Sequence, residues 1–152
     1  MPQKKTHSND SVTDPLTKFR EVFTSLNAPK GGLPTMPTRI AGIASDEWGN
    51  IIARYSAWRE FTEDKHLEAC AVYAQCKSEY DLQVDRETLT SMAATITERK
   101  VAAKTSPRVE VLYKKLVDAE TFMNLLANKL ESFSNVLAML SRELTRRGVA
   151  IQ

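Results

Sequence analysis

Two histidines, two cysteines and several adjacent charged pairs are the residues in this 152-residue chain whose types could do chemistry. His66 stands in "TEDKHLEAC" and His7 in the polar start, and with no third imidazole no histidine-based metal or acid–base centre is expected. Cys70 and Cys76 are six residues apart, a spacing that turns two helical side chains toward different parts of the surface. Neither a metal site nor a redox pair is expected of them, and both read as reduced thiols. Glu63 and Asp64 fall in a predicted helix first turn, where the helix dipole accounts for them without catalysis. The chain has no GxxxxGK[ST] or GxGxxG loop; "PKGGLP" reads as a turn, and no serine stands in a nucleophile-elbow pattern. These residues predict no catalytic site, no metal and no cofactor, so the chain reads as a non-enzyme.

The basic residues offer phosphate contact instead. Net charge is only +2, which excludes a uniformly basic DNA-coating protein and leaves local clustering as the source of any such contact. Residues 1–44 hold Lys4, Lys5, Lys18, Arg20, Lys30 and Arg39 against three acidic residues. These six are the first DNA-binding candidates, and the adjacent Arg146 and Arg147 are the second. Lys114 and Lys115 form another pair, for which a solvated helix face is an equal reading. Trp48 and Trp58 read as core or interface anchors, since no aromatic interleaving suggests stacking on a single strand.

The elements that carry these residues are all helical. With 42% hydrophobic residues, the chain is large enough for one core and small for two domains. No run approaches a membrane span, and "MPQKKTHSND" lacks the apolar core of a signal peptide, so a soluble, intracellular protein is expected. Residues 1–44, with five of the six prolines, predict an extended basic arm. Within it Asp14 caps and Pro15 opens a short helix over about 15–26. Residues 45–147 form the predicted helical core and oligomerisation domain, and 148–152 a tail. Ser45 and Thr62 read as caps, each followed by two acids, which predicts two antiparallel helices with a break at "REF". Residues 84–104 read as helical, with Asp85 able to cap.

The last helix is the most legible. Val109, Leu112, Leu116, Ala119, Met123, Leu126, Leu130, Phe133, Leu137, Leu140 and Leu144 follow one another at alternating spacings of three and four. Phe122, Leu125, Val136 and Met139 widen the stripe, which suits a helix packed on more than one neighbour. Unbroken from Pro107 to Arg147 it would be about 60 Å long. "ESFSN", residues 131–135, is where a kink is expected, and Gly148 where the helix stops. A stripe this long and broad reads as an assembly seam, with Leu112, Leu116, Met123, Leu126, Leu130, Phe133, Leu137 and Leu140 as interface candidates. The fold class is thus all-α: a helical hairpin plus a long C-terminal helix, assembling into a ring-like homo-oligomer.

Three stretches resemble the small terminase subunit of tailed bacteriophages: "LPTMPTRIAGIASDEWGNII", "TEDKHLEACAVYAQCKSEYD" and "SPRVEVLYKKLVDAETFMNLLANKL". The resemblance runs over roughly residues 33 to 144. It implies a non-catalytic DNA-packaging factor in the cytoplasm of the bacterial host. Its partners would be double-stranded phage DNA, the large terminase subunit and other copies of itself in a ring. The family has no catalytic residue to carry across. A phage connector or other structural ring protein is the alternative; a helix-turn-helix regulator ranks lower, because no glycine-bearing turn presents a polar-basic recognition helix.

Overall fold

The computed structural model describes residues 13–37 and 42–150, with the side chains of Ser45, Val149 and Ala150 left aside. Among them are four helices and no strand: α1 (Pro15–Thr24), α2 (Ser45–Thr90), α3 (Ile96–Lys104) and α4 (Pro107–Ala150). The all-α expectation holds, and its main feature is the packing of α2 along α4. Tyr80 meets Tyr113, Arg59 Nε donates to Ser134 Oγ at 3.2 Å, and Arg147 Nη1 donates to the Ile43 carbonyl at 2.7 Å. One index rises as the other falls, so the two helices are antiparallel.

α1 forms as its sequence predicts. Asp14 accepts from the Thr17 amide at 3.3 Å and Pro15 occupies the first turn. The helix ends at Thr24 because Ser25 is extended, with its hydroxyl donating to the Val22 carbonyl at 2.9 Å.

The expected hairpin within residues 45–84 does not form: α2 is one helix of 46 residues, about 69 Å long at helical rise. Ala44, not Ser45, is its N-cap residue. Thr62, read as a cap, is fully buried inside the helix, and its hydroxyl donates to the Trp58 carbonyl at 2.7 Å. A threonine can cap a helix or bond back into it; burial against α4 favours the second. Trp48, Tyr55, Trp58, Thr62 and Ala69 are all buried and recur at helical spacing through the supposed break. A turn at "REF" would have thrown half of them off the core.

α2 ends instead at Thr90, and Asp85 lies within it. α3 opens with a capping box in which the Glu98 amide donates to Thr95 Oγ1 and the Thr95 amide to Glu98 Oε2. Glu110 N donates to Ser106 O at 2.9 Å at the start of α4. The helix then passes through residues 131–135 and past Gly148 without interruption. Ser134 donates to the Leu130 carbonyl at 3.0 Å while accepting from Arg59, so the residue read as a kink joins the two long helices.

The stripe on α4 finds a partner in α2. Leu126, Phe133 and Leu140 are buried within the single chain, with Phe133 edge-on to Tyr55 at 6.1 Å. They are therefore already covered within the single chain. Leu112, Leu116, Met123, Leu130 and Leu137 are half-buried along the same face. The stripe looks too long for one chain only if its partner is two short helices; a continuous α2 spans nearly all of it.

Candidate interaction surfaces

The segment between α1 and α2 folds onto the hairpin as a strap. Gly31 and Gly32 have φ of 90° and 69°, a region that side chains disfavour. Their turn aims carbonyls at α2: Arg54 Nη2 donates to Gly31 O at 2.9 Å and Trp58 Nε1 donates to Gly32 O at 2.9 Å. The Tyr55 hydroxyl donates to Pro34 O at 3.3 Å, and burial pushes that phenol above its usual 10.0, with the Arg54 charge pulling the other way. Phe23 of α1 stacks on Trp58 at 5.8 Å, and Phe61 meets the same indole edge-on at 5.7 Å. The described arm is thus bound to its own core rather than extended.

A second fixing point lies at the end of α4. Arg147 lies 4.6 Å from the Trp48 ring centre and donates to Ile43 O and, from Nε, to Glu143 at 3.1 Å. Arg146 donates to the same carboxylate through Nε at 2.8 Å and Nη2 at 2.7 Å. Those bonds pull the Glu143 carboxyl from 4.5 down to about 2. Arg147 is therefore engaged in holding the fold, while Arg146 remains exposed beside its acid partner.

The other DNA-binding candidates are dispersed. Lys18, Arg20 and Lys30 are exposed. Lys18 borders a groove of about 770 Å³ between α1 and the hairpin, whose rim alternates Lys18, Lys65 and Lys115 with Glu21, Glu68 and Asp118. Such a rim has no single sign. Lys4, Lys5 and Arg39 lie outside the described residues. Lys114 pairs with Glu110 at 3.0 Å, as a solvated helix face does.

Three cations that the sequence reading passed over stand closer to one another. Lys100 and Lys104 are one helical turn apart on α3, and Arg108 follows in the first turn of α4. All three are exposed, and no ion pair among the described residues engages them. Thr105 N bonds to Val101 O at 3.2 Å and Ser106 N to Ala103 O at 3.1 Å, so helix-like bonding continues across the joint. Their spacing of four is the signal in the sequence that marks them.

The same end of the hairpin exposes apolar residues. Leu82, Leu89, Met92, Ile96, Val101 and Val111 are all exposed, Leu89 at 81% and Met92 fully. No helix among the described residues is long and apolar enough to cross a membrane, and no group of three or more potential metal ligands occurs among them. No protein-family model matches the chain, and the curated proteins and the solved structures contain no match to it.

Proposed function

We propose that the protein is a non-catalytic DNA-packaging factor of the small-terminase kind, self-assembling and acting on phage DNA together with the large terminase subunit. The observation that carries this reading is the closed end of the hairpin, where exposed apolar side chains lie beside Lys100, Lys104 and Arg108. Large apolar side chains exposed at one end of the molecule favour burial against another chain. Cations without acid partners favour phosphate, and a symmetric assembly would repeat them around an axis. The assembly contact in this reading uses α3 and the adjoining ends of α2 and α4, because Leu126, Phe133 and Leu140 are covered within the chain.

The test combines light scattering at tens of micromolar with titration of duplex DNA at several salt concentrations. The expected result is an oligomer whose DNA affinity falls as salt rises, with a shallower salt slope in the Lys100→Glu, Lys104→Glu variant. A monomer that does not bind DNA at low salt overturns the reading. An oligomer indifferent to DNA favours the structural-ring alternative.

A further inference from the structure

α1 has no fully buried side chain, and between it and the hairpin runs the groove of about 770 Å³. Val22, Ala69, Val72, Cys76, Ala119 and Phe122 supply its apolar lining, and Val72 is 53% exposed there. Of the charged residues on its rim, Lys65 and Glu68 are joined at 2.8 Å. Lys18, Glu21, Lys115 and Asp118 take part in no ion pair among the described residues. The groove is therefore apolar inside and offers open charges of both signs at its edge.

The corner between α2 and α3 has the matching composition. Leu89, Met92 and Ile96 are exposed apolar side chains, and Asp85 and Arg86 precede Leu89 by one helical turn. Both are exposed, and no ion pair among the described residues engages them. An edge of alternating sign disfavours the uniformly negative surface of DNA; it suits a partner that is apolar at its tip and carries both signs beside it. The corner cannot enter the groove of its own chain, because Cys76 and Leu89 lie on one unbroken helix, about 20 Å apart at helical rise. Only a second copy can bring the two surfaces together.

We infer that the groove beneath α1 receives the Leu89–Met92 corner of a second copy, head to tail, which rests on the self-assembly proposed above and names the surface that receives it. Corner and groove are different patches of one chain. Each contact therefore leaves a free groove on one copy and a free corner on the other, and the series continues until it closes into a ring or runs on as a filament. Corner packed against corner would instead stop at two copies. The charge partners of the contact are Asp85 and Arg86, which leaves Lys100, Lys104 and Arg108 to phosphate.

The test is a mixing experiment on the full chain, read by light scattering at tens of micromolar. One variant, Val72→Glu, places a charge in the groove; the other, Leu89→Glu with Met92→Glu, places two on the corner. All three positions are exposed, so circular dichroism should show both variants folded, and Val72→Lys repeats the first with the opposite charge. The wild type is expected to assemble beyond two copies, and each variant alone to lose self-affinity by about tenfold or more. An equimolar mixture of the two variants should form a one-to-one pair, since one intact groove and one intact corner remain. Groove variants that assemble like the wild type, while the corner variant does not, overturn the proposal and leave self-assembly standing. A mixture that stays monomeric overturns it as well. A monomeric wild type overturns both it and the self-assembly on which it rests.

Discussion

From Ile43 to about Cys76 the hairpin has a third layer, and beyond Cys76 it becomes thinner. In the first region α1 and the strap lie on α2 and α4, and Trp48, Tyr55, Trp58, Thr62, Leu126, Phe133 and Leu140 are buried. In the second region only Ala103 and Val109 are buried, while Leu82, Leu89, Met92, Ile96 and Val101 face outward. The helices are the same two throughout. Two helices side by side cover only one stripe of each, and a third element is needed to bury large side chains completely. The arm supplies it at one end; at the other, the proposed assembly partner does.

The largest effect separating the regions is expected from Trp58→Ala. It removes the indole that Phe23 and Phe61 pack against and the bond to Gly32 O, at a cost of about 3–5 kcal/mol. Leu89→Ala, at an exposed site, should remain within about 0.5 kcal/mol of wild type under dilute conditions. Chemical denaturation of both variants measures the contrast, and equal losses would erase it.

Much of this contrast was legible in the residues, and the missing part has a physical cause. Asp14–Pro15 marked α1, and the three-and-four spacing from Val109 to Leu144 marked α4. The continuity of α2 was not legible because Thr62 satisfies a hydroxyl equally well as a cap or as a bond to Trp58 O. Only the presence of α4 decides between them. The break before α3 had a signal in Thr95-x-x-Glu98, but the preceding threonines bond back to Val84 O and Arg86 O and carry α2 further than their propensity suggests. Among candidate site residues, charge clustering could not separate Arg147, held by Ile43 O and Trp48, from the exposed Arg146. That distinction depends on a contact between residues 104 positions apart.

Arg147→Ala sharpens the comparison at the three-layered end. It leaves Ile43 O without this donor and Trp48 without its cation, an expected loss of about 1–3 kcal/mol in thermal or chemical unfolding. Arg147→Lys should recover only part of it, because an ammonium has no planar fork to lie over the indole while reaching both Glu143 and Ile43.

Gly32→Ala acts on the strap alone. The added methyl group meets open space, so the cost comes from φ of 69° and amounts to about 1–2 kcal/mol. Trp58 fluorescence reports whether the strap stays bound, and an unchanged melting curve would show that the turn contributes little to the third layer.

A smaller effect is expected from pH. The Glu143 carboxyl is lowered in the folded chain, so its stabilising contribution is present above 4.5 and disappears as pH falls through about 2. The stability difference between wild type and Glu143→Gln should therefore shrink across that window, and added salt should reduce it at every pH because these charges are partly solvated. A difference that grows on acidification would reverse the assignment.

Amide hydrogen exchange at low and high protein concentration tests the central claim most directly. At low concentration, amides of α2 before Ala69 and of α4 from Leu126 to Leu140 should be the best protected, with α3 and the last turns of α2 exchanging much faster. Raising the concentration should slow exchange in α3 and in the ends of α2 and α4 beside it, leaving the Trp58 region unchanged. Equal protection of both regions at low concentration, or no gain at the α3 end on concentrating, would contradict a three-layered half joined to one completed by assembly.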